Sequence, residues 1–139
     1  GDYTQSNSDP YNAYEPFDSS SAAITAQGLI RFGTYLAGQG DEAAAQRYLT
    51  AGLTVAQTIL SEPYLSTNPD HQGLLLHTVY HRPNGWDFVP AGQSIPCGES
   101  AMWGDYHLME LALLIKRMAA GDYQTFWGDS AALDLTSSS

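Results

Sequence analysis

Residues 18–60 read DSSSAAITAQGLIRFGTYLAGQGDEAAAQRYLTAGLTVAQTIL. The run divides at Gly38-Gln39-Gly40. Before that break, Asp18, Ser19, Ser20 and Ser21 offer N-caps to a first helix. Ala22, Ala26, Leu29, Ile30 and Gly33 then fall on one helical face. The face is made largely of small residues, so a neighbouring element must pack closely against it. After the break, Asp41 caps a second helix, and residues 42–45 (EAAA) favour helix strongly. Tyr48, Gly52, Val55, Ala56, Ile59 and Leu60 follow at helical spacing, and Pro63 closes the run. Two helices joined by so short a loop form an antiparallel helical hairpin. The fold class expected is all-α.

Outward from the hairpin, residues 74–80 are rich in apolar and β-compatible types, and Asn84-Gly85 is a strong turn signal. These features predict a small β-hairpin inserted between helices. The stretch CGESAMWGDYHLMELALLIKRM, residues 97–118, predicts a long helix from just after Pro96 to about residue 120. Residues 1–17 read either as an extended arm laid on another surface or as a loose terminus. In the tail, residues 121–139, Phe126 and Trp127 are expected to dock and the Ser-rich end is not. The length of 139 residues suits a single segment.

Charge excludes several function classes. Lys and Arg total 5 against 15 Asp and Glu, for a formal charge of -10. A chain this acidic repels phosphates, so no nucleic-acid partner is expected. Lys116 is the only lysine, which rules out a polybasic membrane patch. Cys97 is the only cysteine, so no disulfide can form within the chain. No apolar run is long enough for an ordinary membrane span. High acidity with few lysines favours a secreted protein. A start at Gly-Asp rather than Met suggests a processed chain or a fragment.

At about 100° per residue, Glu99, Trp103, Tyr106, His107 and Glu110 form one polar-aromatic stripe on the last helix. A solvent face carries Lys, Glu and Gln more often than Trp, Tyr and His. The stripe reads as a pocket wall, or alternatively as a hydrogen-bonded core network. Asp105 points toward the apolar side, where a carboxylate must be paired. It either ties down a neighbouring backbone or Arg, or acts as a catalytic acid. His71, His77 and His81 suggest metal, but their expected strand setting lacks a ligand spacing. They read instead as hydrogen-bond donors beside a pocket, and no metal is expected. Gly98-Glu99-Ser100 lacks the closing glycine of a nucleophile elbow, so Ser100 reads as a helix-start hydroxyl open to a cap or ligand. Trp86 is either packing or a stacking surface for a sugar ring. Arg82, among only five basic residues, and the histidines are the groups that could meet an anionic substrate.

Three segments, in this order, carry a family resemblance: DSSSAAITAQGLIRF, HQGLLLHTVYHRPNGWDFVP and PCGESAMWGDYHLMELAL. Together they resemble the C-terminal part of the unsaturated glucuronyl hydrolases, glycoside hydrolase family 88, over roughly residues 14–120. The resemblance implies part of an (α/α)6 barrel. It implies removal of an unsaturated uronic acid from the non-reducing end of lyase-generated oligosaccharides. That reaction hydrates the C4=C5 vinyl ether with one Asp as general acid and base, and needs no cofactor. The family's catalytic aspartates lie in the N-terminal half of the barrel, so no catalytic residue is expected on this chain. A second chain or the missing half would supply them. Ser100 and Trp103 match the segment bordering the family's uronate pocket; His81, Arg82, Trp86, Tyr106 and His107 are further substrate-binding candidates. Two other readings stand beside it: a hydrolase of unsaturated galacturonyl or rhamnogalacturonyl ends, and a non-catalytic carbohydrate-binding or structural remnant.

Overall fold

The computed structural model describes residues 10–13 and 15–123. Phe126 and Trp127, most of the tail and residues 1–9 of the arm lie outside the described residues. The described part is mostly helical, with α1 at Ser19–Gly38, α2 at Glu42–Ile59 and α3 at Met102–Ala119. Asp18 and Asp41 cap α1 and α2 as their positions predict, accepting from the Ser20 and Ala44 N–H groups. α1 is the middle helix, packed on both α2 and α3.

The small residues at the α1–α2 crossing are reciprocal. A Cβ on Gly33 would come within 2.9 Å of the Leu49 backbone nitrogen. One on Gly52 would come within 3.0 Å of the Ala26 carbonyl oxygen. Each glycine therefore admits the backbone of the opposite helix. Ala23, Ala26, Ile30, Ala56, Ile59, Leu108, Leu111 and Leu114 fill the core between the helices. Tyr64 and Leu75 enter it from the long α2–α3 connection.

That connection departs from expectation. Among the described residues there is no strand, only an isolated antiparallel bridge between Leu65 and Leu75. The β-hairpin expected at Asn84-Gly85 does not form. A two-residue hairpin turn of that type needs positive φ at both central residues. Here Arg82–Asn84 is a 3₁₀ turn with Pro83 in its first positions, and only Gly85 takes the left-handed conformation, at φ 65. Pro83 has the fixed φ that such a turn accepts.

The backbone of 74–79 is satisfied partly by backbone groups, with Ser66 N–H donating to the Leu74 carbonyl and Leu76 N–H to the Tyr64 carbonyl, and partly by side chains at the helix ends. Leu74 and Leu75 donate to the Asp105 carboxylate, Leu75 at 2.7 Å. Ser19 Oγ donates to the Leu76 carbonyl at 2.6 Å, and Val79 N–H donates to Asp18. The apolar run thus lies across the start of α1 and the first turn of α3, with the single bridge to Leu65 in place of a ladder.

The third helix starts later than its sequence suggests. Ala101 is extended, and residues 97–100 form a connecting segment rather than a first turn. Thr78 N–H donates to the Glu99 carbonyl at 2.8 Å, and Gly98 turns at φ 90. Glu99 therefore leaves the helical stripe.

Candidate functional site

The segment 77–87 crosses the start of α3, and four rings meet there. Tyr80 stacks on Trp103 with centroids 5.2 Å apart and 27° between planes. Tyr80 also meets Trp86 at 5.7 Å and 31°. Trp86 meets His81 at 5.0 Å. The Tyr80–Trp103 pair is stacked and the two Trp86 pairs are tilted, all within the centroid range of interacting aromatic rings. Part of the row stays open to solvent: Trp86 is 60% exposed and Tyr80 54%.

Hydrogen bonds support the row from both ends. The indole N–H of Trp103 donates to Ser20 Oγ at 3.2 Å. Ser20 Oγ in turn donates to Asp18 at 2.6 Å. Asp18 is therefore both the α1 cap and the far anchor of Trp103. Asp87 accepts from the backbone N–H groups of Tyr80 and His81. His81 Nδ1 accepts from the Asn84 N–H at 3.3 Å, which fixes its ring over the 3₁₀ turn.

Of the substrate-binding candidates, Trp103, Trp86 and His81 come together in this row. Arg82 is exposed in the same turn. Tyr106 and His107 stand one turn further along α3, in edge contact at 5.1 Å. Tyr106 is exposed, whereas His107 Nδ1 and its carbonyl both face Gln27 Nε2, which donates to that carbonyl at 3.1 Å. His107 thus joins α3 to α1. Ser100 sits elsewhere: its hydroxyl fills the space that a Cβ on Gly73 would need. It packs on Gly73.

Two histidines are structural rather than presented to a ligand. His71 Nδ1 accepts from the Gly73 N–H at 3.0 Å. His77 is 1% exposed, has φ 65, and is flanked edge-on by Tyr11 and Tyr64. Its Nδ1 accepts from Gly98 N–H and its carbonyl from Ser19 N–H. Among the described residues no cluster of three His, Cys, Asp or Glu could hold a metal ion. No described helix is long and apolar enough to cross a membrane.

Tyr80 is the member of the row that the sequence alone does not single out. A signal is present all the same: Tyr80, His81 and Trp86 bracket a Pro-Asn-Gly turn. Asp105, by contrast, is the backbone tie that its apolar surroundings suggest. No family model, curated protein or solved structure matches this chain.

Proposed function

We propose that this chain forms the sugar-binding wall of a glycoside hydrolase-like enzyme. The enzyme removes unsaturated uronic acid from the non-reducing end of lyase-generated oligosaccharides by hydrating the vinyl ether. The observation that carries this reading is the row of half-buried Trp103 with exposed Tyr80, Trp86 and His81 beside Arg82. Open aromatic faces suit the apolar faces of a sugar ring. Arg82 is a cation beside them on a chain of net charge -10, and would meet the uronate carboxylate.

The carboxylates near the row support a binding rather than an acid-base role for this chain. Asp18, Asp87 and Asp105 each accept from backbone or hydroxyl donors. The residues that protonate and hydrate the substrate then belong to helices supplied by the rest of an (α/α)6 barrel. The exposed apolar residues fit such a neighbour. Met102, Tyr106, Met109 and Leu113 line one stripe of α3, and Met102 is 85% exposed. Soluble monomers rarely leave such a stripe uncovered.

The test is the loss of vinyl-ether absorbance from a Δ4,5-unsaturated uronyl disaccharide, assayed with the complete enzyme. That enzyme is expected to consume it, and Trp103→Ala to lower kcat/KM about tenfold, the scale of one or two lost ring contacts. Unchanged kinetics with a lower Tm would make Trp103 plain packing and remove the row from the site.

A further inference from the structure

We infer that Asp87 is the positioning residue of the aromatic row: one carboxylate, by holding two backbone N–H groups, sets where three of its four rings stand. The functional meaning of this inference rests on the sugar-binding reading above; its mechanism rests on backbone geometry alone.

Asp87 follows Trp86 directly in the chain. One of its carboxylate oxygens accepts from the Tyr80 N–H, and the other accepts from the His81 N–H at 2.9 Å. The same residue is thus covalently next to one ring residue and hydrogen-bonded to the backbone of two more. It closes residues 80–87 into a loop, and the 3₁₀ turn with Arg82 lies inside the closure.

Within the loop, the Asn84 and Gly85 N–H groups donate to the His81 and Arg82 carbonyls at 3.1 and 2.9 Å and so shape the 3₁₀ turn, but they do not reach Tyr80 or Trp86. Tyr80, Trp86, Phe88 and Val89 are all exposed, so the loop has no core of its own. The bond from Trp86 N–H to the His81 carbonyl, which also crosses the loop, is long at 3.5 Å. With the carboxylate gone, two N–H groups lose their acceptor and the register of Tyr80 between Trp103 and Trp86 is released. Bonds to a charged acceptor are also the stronger kind.

The experiment compares the full chain with Asp87→Ala and Asp87→Asn. The near-ultraviolet circular dichroism difference spectrum reports the coupled rings, and the far-ultraviolet spectrum reports the helices. Asp87→Ala is expected to lose the ring signal while the helical signal stays. Asp87→Asn keeps one acceptor oxygen and is expected to retain part of the ring signal. A wild-type ring signal in Asp87→Ala overturns the inference. So does loss of the helical signal in both variants, because the carboxylate would then support the fold as a whole.

A Δ4,5-unsaturated uronyl disaccharide is the probe for the underlying reading. Affinity about tenfold weaker in Asp87→Ala, with Asp87→Asn between, is expected. If the wild-type chain binds no disaccharide while the spectra behave as described, the sugar reading fails and Asp87 remains the row's positioning residue.

Discussion

Asp105 shows how one side chain can replace a strand partner. Its carboxylate accepts from Leu74 and Leu75, and so anchors a connection that has no ladder. Removing it leaves two backbone N–H groups without their acceptor. Asp105→Ala is expected to lower stability by about 1–3 kcal/mol, read as a shift in the urea midpoint. Asp105→Asn, which keeps one acceptor oxygen, should lose less. A midpoint unchanged in Asp105→Ala would mean that the connection is held by its other ties. That Asp105 is a tie is legible in the sequence, because a carboxylate beside Ala101, Leu108 and Ala112 needs a partner. Which donors it meets is not, because they lie 30 and 31 residues away in the chain. His77 goes the other way. Its polar type suggests a ligand contact, but its left-handed backbone accompanies a ring buried in the interior. That conformation is rare for a non-glycine residue, and nothing in its neighbours announces it.

Among the elements, α1 and α2 are the most legible, and their glycines can be told apart by what surrounds them. Gly52 faces the Ala26 carbonyl, which is fixed in the backbone of α1. Gly52→Ala is expected to cost about 1–3 kcal/mol by overpacking. Gly28, on the exposed side of α1, has nothing within 4 Å of the position a methyl group would take. Gly28→Ala should stabilise by about 0.5–1 kcal/mol through helix propensity. Thermal melts of the two variants should therefore move in opposite directions; movement in the same direction would contradict the close crossing of α1 and α2. The helical hairpin is readable because caps, periodicity and a Gly-Gln-Gly break agree. The connection is not, because apolar residues 74–79 look alike whether a full strand ladder or one bridge with scattered backbone and side-chain partners satisfies their backbone. The start of α3 is misplaced by sequence for a related reason. Residues 97–100 follow a proline as a helix start would, but Glu99 and Gly98 are held by Thr78 and His77.

For the molecule as a whole, the proposed function places these helices in a larger assembly, and the exposed stripes are where its other helices would pack. Ile24, Phe32 and Tyr35 on α1 are exposed, as are Met102, Tyr106, Met109 and Leu113 on α3. The native mass of the natural protein is expected to exceed that of these 139 residues, with the additional helices in the same or a second polypeptide. A lone species of this size would remove the enzyme reading and leave a carbohydrate-binding or structural one. The ring row itself is half legible. Trp103, Trp86 and His81 are residue types that advertise themselves, whereas their meeting depends on Tyr80, on Asp18, which reads as an ordinary cap, and on Asp87, which the sequence does not single out. Whether the row receives a sugar can be read by titrating the protein with a Δ4,5-unsaturated uronyl disaccharide and following indole emission. A saturable change, lost in Trp86→Ala and Trp103→Ala, is the expected result. Emission that does not respond at any disaccharide concentration, in a protein whose far-ultraviolet spectrum shows it folded, would contradict the sugar-binding role.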